Sequence, residues 1–466
     1  MGRTIVINPV TRIEGHAKID IEIDDNDKVV AARLHVLEFR GFEKFVEGMQ
    51  VELMPTLTTR ICGTCPHAHH LVAAKCADAV FGAVPPRAAL LQRQLLNAGS
   101  IIHSHAIHFF ALAGPDLLLG IGAAPADRNI VSLLRAAPEL AKKALRLRSL
   151  GQKIAEVVGG RGTHPVTAVA GGMATVIDQA KLSQLRALSN EALELSRFAL
   201  EAGKKVLTDR AELIELLPLS THDLGTVQND VWDLYDGTLR MCDPEGKTAC
   251  EIPATKYKDV MVEEAIAHSY SKRVLFKLGS QEVDYRVGPL SRLNICGKLP
   301  TPAAQAELEE YRSKFGHPTH QVVLNHYARL IELLACAELA VSLCNDAELT
   351  SPDVQSQPTH GPRSAIAHVE APRGLLIHDY DVDDQGLIRK ANFLVATQHN
   401  ISSIDKSLQV AAERFWNKPE AEFVNGVEFA IRCYDPCLSC STHQVGQMPM
   451  LINMIRRGQV IRQVRR

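Results

Sequence analysis

An excess of one charge sign is missing from this chain: 51 lysines and arginines face 53 aspartates and glutamates, a formal net charge of −2. That balance gives no electrostatic case for a nucleic acid or an anionic membrane as partner. Long apolar runs are also missing. The most apolar window, Phe109 to Ala126, is broken by Pro115, Asp116 and Pro125, so no membrane span is expected. The first residues, Met-Gly-Arg-Thr-Ile-Val-Ile-Asn-Pro, carry neither a signal-peptide apolar core nor twin arginines, and a cytoplasmic protein is expected. Eleven cysteines in 466 residues are too sparse for a disulfide scaffold, and an odd number leaves at least one unpaired. Internal repeats, low-complexity tracts and clear linkers are absent, which favours one large domain over several.

What is present is ordinary in bulk: 46% hydrophobic and 22% charged residues, typical of a globular protein able to build a core without a metal staple. Lys18-Ile19-Asp20-Ile21-Glu22-Ile23 alternates in the manner of a half-buried strand, Asp24 to Asp27 turns, and Val29 to Val36 returns. Phe39 to Glu52 is expected to open a helical body. Helical spacing then recurs over Arg87 to Leu112, Asn129 to Val158, Ala180 to Leu217, Ala303 to Phe315, Gln321 to Cys344 and Lys406 to Phe415. Residues 218–300 are turn-rich with short strands and read as a peripheral β subdomain. The expected class is α+β, mainly α: a large helical bundle with an N-terminal antiparallel hairpin or sheet. Gly159 to Pro165 lacks the spacing of a phosphate loop and follows a helix, so a close backbone approach is the sensible reading.

Four of the cysteines come in two pairs near opposite ends. Cys62 and Cys65 lie in Arg-Ile-Cys-Gly-Thr-Cys-Pro-His-Ala-His-His, and Cys437 and Cys440 in Arg-Cys-Tyr-Asp-Pro-Cys-Leu-Ser-Cys-Ser-Thr-His, Arg432 to His443. Two thiols three residues apart on a tight turn can chelate one metal. Two such pairs meeting in space make a four-thiolate site suited to zinc, iron or nickel. On spacing alone a structural zinc site or a redox dithiol is an even match. Three features weigh against it: the distance along the chain between the pairs, the imidazoles just downstream (His67, His69, His70 and His443), and the size of the chain. The other seven cysteines read as buried small hydrophobes or free thiols.

The R-I-C-G-x-C and D-P-C-x-x-C-x-x-H segments resemble the paired signatures of the large subunit of nickel-iron hydrogenases. The resemblance continues through Arg12 to His16 (R-I-E-G-H), Phe39 to Glu43 (F-R-G-F-E) and Glu370 to Gly374 (E-A-P-R-G), in the family's order and over essentially the whole chain. In detail it is most similar to the soluble cytoplasmic branch, which includes NAD-linked bidirectional and heterodisulfide-reductase-linked enzymes.

The resemblance implies reversible oxidation of dihydrogen at a nickel-iron centre whose iron carries carbonyl and cyanide ligands. It makes Cys62 and Cys437 terminal ligands of nickel and Cys65 and Cys440 bridges to iron. Cys437 is the base that takes the proton and Glu14 its next carrier. His69 bonds a bridging sulfur, Arg373 overhangs the open site, Pro372 and Thr397 contact the diatomic ligands, and Asp435 pairs near Arg373. Glu43 and His443 hold magnesium. Read without the family, Glu14 sits in a surface turn, Glu43 on a solvated face, and Arg373 is a surface arginine.

The resemblance further implies a precursor cut after His443 by a maturation endopeptidase, so that residues 1–443 form the mature domain and the basic 444–466 extension is removed. Expected partners are an iron-sulfur small subunit, together with diaphorase or heterodisulfide-reductase-type subunits. One departure is plain: many membrane-bound relatives have H-D-H where this chain has His103-Ser104-His105, so a carboxylate partner for the arginine is missing. Rival readings are a dihydrogen-sensing regulatory protein with low turnover, a metal-free structural relative, and a zinc protein.

Overall fold

The structure is a computed structural model that describes residues 3–359, 361–442, 451–456 and 459–465. Period-two patterning is realised at the N-terminus. Strand Ala17–Ile23 pairs antiparallel with Arg3–Ile7 on one side and Val29–Val36 on the other. Ile19, Ile21 and Ile23 are buried while Lys18, Asp20 and Glu22 are partly exposed. The connection between the first two strands carries Glu14 inward to the chain's other end.

The helical body is built around Arg87–Ile107, which packs against Pro138–Gly159 and Asn325–Asn345; the last of these also packs on Gln179–Asp209. Small residues set the closest approach. A Cβ on Gly151 would lie 2.5 Å from the backbone nitrogen of His103, and one on Gly99 3.1 Å from the Gly151 carbonyl oxygen, so two backbones meet with no side chain between them.

Several boundaries differ from the sequence reading. Asn129 to Val158 is two helices, Ile130–Ala136 and Pro138–Gly159, because the proline removes a donor and pushes Ala137 out of the helical region. Phe39 to Glu52 holds only one helical turn, Phe42–Phe45, and a 3-10 turn, Val51–Leu53. Gly48, at φ 78°, takes the intervening backbone where a helix cannot go. Beyond Ile107 the chain widens into π-helical turns, His108–Ala113 and Pro115–Leu119. Such turns are rare and occur often at functional sites. Region 218–300 contains a five-stranded and a three-stranded sheet, and its last helix, Pro289–Ile295, is wholly buried against Asn325–Asn345.

Two further elements frame the site. Strands Ser364–Ala371, Gly374–Val382 and Ile388–Leu394 form an antiparallel sheet against helix Pro66–Val80. Pro372 and Arg373 make the tight connection between the first two, since Ala371 pairs with Gly374. Helix Glu420–Tyr434 packs on Ile401–Phe415 and delivers the second cysteine pair. Near the end, Leu451–Arg456 and Gln459–Arg465 pair as an antiparallel hairpin.

Candidate metal centre

The first pair sits on a turn between a 3-10 segment, Thr58–Ile61, and helix Pro66–Val80, whose opening proline suits a first helical position. The second follows helix Glu420–Tyr434, which ends in a left-handed Asp435 (φ 55°) and Pro436; Cys437 then leads into the single turn Leu438–Ser441 that carries Cys440. The two turns meet. Cys62 Sγ lies 3.1 Å from Cys437 Sγ, Cys65 Sγ 3.3 Å from Cys440 Sγ, and Cys437 Sγ 3.1 Å from Cys440 Sγ. All four sulfurs fall within 4.8 Å of one another and all are buried. These separations exceed the ~2.05 Å of a disulfide, and the thiols are free. Hydrogen bonds from the other three thiols draw Cys62 well below the ordinary thiol range, whereas burial holds Cys437 and Cys440 above it. A tight cluster of buried soft donors fits a thiolate-bound metal centre.

Glu14 is strapped across the second turn. Its carbonyl accepts from Leu438 N at 3.2 Å, and its carboxylate accepts from Ser439 N at 3.1 Å and from the Ser439 hydroxyl. Gly15, at φ 82°, makes the approach possible, because a Cβ there would lie 2.8 Å from Leu438 Cβ. The loop is fixed from behind by buried charge: Arg12 and Arg432 share Asp116, and Glu428 accepts from Thr11 N and from Arg432.

His69 Nε2 is 3.5 Å from Cys440 Sγ, and its Nδ1 is 3.1 Å from Nε2 of His378, whose Nδ1 is 2.7 Å from the Tyr380 hydroxyl. Burial pushes His69 down to about 4 and His378 well below its usual range, so both rings are neutral near pH 7. Against a Cys440 sulfur that carries no proton, as in a metal thiolate, the chain has one consistent direction: Tyr380 O–H donates to His378, His378 to His69, and His69 N–H to the sulfur.

Arg373 donates from Nε to the Asp435 carbonyl at 2.6 Å and from Nη2 to Asp435 Oδ1 at 3.0 Å, while its buried Nη1 has no partner among the described residues. It lines a small cavity with Cys65, His69, Thr397, Cys437 and Cys440. Thr397 Oγ1 accepts from Cys437 N at 2.8 Å, which leaves its hydroxyl hydrogen available. The Pro372 side chain is outside that lining, although Ala371 and Arg373 on either side belong to it. Behind the connection, Arg292 donates to Glu370 and to the Ala371 carbonyl.

Ser104 is buried with its hydroxyl unpartnered among the described residues, and the arginine nonetheless has a carboxylate partner, that of Asp435. Of the neighbouring histidines, His105 and His108 are buried, bonding Glu332 and the Arg432 carbonyl, and His103 is half-buried against the Arg148 carbonyl. Glu43 is elsewhere, in a polar pocket with Glu263, Lys272 and Asp379, and burial raises its carboxyl to about 7. His443, its expected companion on magnesium, lies outside the described residues. Sequence reading missed Thr64, Ser439, His378 and Tyr380. Only the alternation of His378 and Tyr380 on one strand face offered a signal.

Sulfurs so placed can share one soft metal centre, which puts the chain among metalloproteins with thiolate ligation. Comparison narrows that class. A nickel-dependent hydrogenase family model matches residues 40–137 and 244–443, and a HoxL-like model residues 4–39. The chain is 39% identical to a subunit of the F420-non-reducing hydrogenase vhc of Methanococcus voltae, covering 96% of each. It is 35% identical to NAD-reducing hydrogenase HoxS subunit beta of Cupriavidus necator, covering 97% of each. It superposes on a crystal structure of an NAD+-reducing NiFe hydrogenase in the H2-reduced state with a TM-score of 0.91 at 37% identity, over 95% of this chain and 99% of that one. This chain belongs to the nickel-dependent hydrogenase large-subunit family. No helix among the described residues is long and apolar enough to cross a membrane.

Proposed function

We propose that this hydrogenase subunit cleaves dihydrogen reversibly and heterolytically at a nickel-iron centre held by Cys62, Cys65, Cys437 and Cys440. The observation that carries the reading is the meeting of the two C-x-x-C turns in a buried cluster beside Arg373 and Glu14. Cys62 and Cys437 would be terminal ligands of nickel, with Cys65 and Cys440 shared with iron. Bound there, the centre supplies the Lewis acid that polarises dihydrogen and the orbitals that take its electrons.

The chain's own groups do the rest. Cys437 Sγ receives the proton and Glu14 takes it onward, the carboxylate being held against the same turn by Ser439. His69 donates to Cys440, and the unpaired Arg373 Nη1 and the Thr397 hydroxyl are the donors available to the carbonyl and cyanide ligands of iron. Glu43, with His443, is assigned to magnesium, a hard ion suited to oxygen donors. Residues 444–466 are assigned to an extension removed by an endopeptidase after metal insertion, leaving 1–443 as one domain with 218–300 as its peripheral part.

The seven remaining cysteines are scattered, so electrons leave through an iron-sulfur small subunit. The exposed Phe39, Phe45 and Leu53, which precede the Cys62 turn in sequence, are the apolar surface assigned to that partner. Diaphorase or heterodisulfide-reductase-type subunits would carry the electrons on, in the cytoplasm.

The test is purification with the co-purifying subunits, followed by metal analysis, intact mass and dihydrogen-dependent dye reduction. Nickel and iron, a chain ending at His443 and rapid turnover are expected. Zinc without nickel overturns the centre, and nickel with negligible turnover turns the reading towards a sensor.

A further inference from the structure

The turn Cys62-Gly63-Thr64-Cys65 holds a side chain that the mechanism above does not use. Thr64 Oγ1 lies 3.0 Å from Cys62 Sγ and 3.8 Å from Cys437 Sγ, and Thr64 N donates to Cys62 Sγ at 3.2 Å. The two sulfurs are the hydroxyl's hydrogen-bond partners, and Thr64 is only half-buried, so packing does not account for its position. We propose that Thr64 is a positioning residue whose hydroxyl donates to the Cys62 sulfur and thereby sets the electron density of that ligand. The inference rests on the nickel-iron reading.

The direction of the bond follows from the donor inventory. A hydroxyl has a hydrogen to give, and a sulfur bonded to a metal has none. Branching at Cβ keeps the threonine rotamer narrow, so the oxygen stays aimed at the sulfurs. Hydrogen bonds to coordinating sulfur withdraw charge from the metal and raise its reduction potential. Cys62 receives two such bonds from Thr64, one from the backbone and one from the hydroxyl; with that single hydroxyl hydrogen committed to Cys62, the more distant Cys437 sulfur, 3.8 Å away, receives none from it. The two terminal sulfurs are therefore unequal, and Cys437, on the Glu14 side, is the more electron-rich.

Thr64→Val removes the donor at nearly constant volume and leaves the backbone bond in place, and Thr64→Ser restores the donor. In the holoenzyme with its partner subunit, the midpoint potential of the nickel paramagnetic signal is expected to move negative in Thr64→Val and stay at the wild-type value in Thr64→Ser. One exchangeable-proton coupling to that signal, seen by exchange into D2O, is expected to vanish in the valine variant alone. Nickel content is measured for each protein, and Thr64→Ala is read the same way if Thr64→Val takes up no nickel. Unchanged potential and coupling in a nickel-loaded donorless variant overturn the proposal and leave the nickel-iron reading standing. A wild-type protein without nickel overturns both.

Discussion

The two cysteine pairs are held by opposite means. Around Cys62 and Cys65 the backbone of the turn is held locally, and its distant contacts run to the other pair's sulfurs: Thr64 N reaches back two residues to Cys62, and Cys65 leads directly into its helix. Around Cys437 and Cys440 almost every contact is distant. Cys437 N reaches Thr397, Leu438 and Ser439 reach Glu14, and Asp435 reaches Arg373. One turn is shaped by its own sequence and the other by the rest of the fold. Distant contacts carry the entropy of closing long loops, so the geometry of the second turn depends on the assembled domain.

Substitutions can break or sharpen this contrast. The largest effect is expected from Glu14→Gln, which keeps an acceptor for Ser439 but cannot relay a proton. Turnover and hydrogen–deuterium exchange should fall ~10²–10⁴-fold with nickel retained, and wild-type exchange would show that Glu14 is an anchor alone. Arg373→Lys keeps the charge but loses the fork that grips the carbonyl oxygen and one carboxylate oxygen of Asp435. An activity loss of ~10–100-fold at normal nickel content is expected, and an unaffected enzyme would show that the second turn does not need that grip.

A glycine pair compares the two turns directly. Gly15→Ala puts a methyl 2.8 Å from Leu438 Cβ at φ 82°. It should cost ~1–3 kcal/mol in thermal or denaturant unfolding and lower nickel occupancy. Gly63→Ala meets nothing within 4 Å and should change stability by less than ~0.5 kcal/mol. Equal losses from the two would erase the distinction between the local and the distant turn.

The smallest effect lies away from both turns. Asp405, which accepts from Leu34 N at 2.8 Å, is raised by burial from 3.8 to about 7. Between those values the folded chain binds a proton that the unfolded chain has lost, so stability falls as pH rises through that window and levels off above it. Asp405→Asn should flatten the slope in pH-dependent unfolding without altering nickel content. An unchanged slope would assign the pH dependence to other groups.

The same division explains what the sequence disclosed. The hairpin was legible because Ile19, Ile21 and Ile23 face the core and their neighbours do not. The thiol motifs were legible because each pair is contiguous. Strand Gly374–Val382, however, is buried at all but one position, and Asn425 to Tyr434 in helix Glu420–Tyr434 are buried all round. Neither offers the one-sided pattern that marks a strand or helix from sequence. His378 and Tyr380 escaped notice because their role exists only once His69, some 300 residues earlier, is placed against them. The π-helical turns after His108 left no sequence cue beyond Pro115.

Asp435 carries a last consequence. A side chain in the left-handed region narrows replacement to small polar residues, with asparagine the natural substitute. Charge pairing to Arg373 rejects that substitute in turn. Chain direction and electrostatics thus veto complementary sets of alternatives, and the position is left with little room to drift even though its side chain is not among the expected metal ligands.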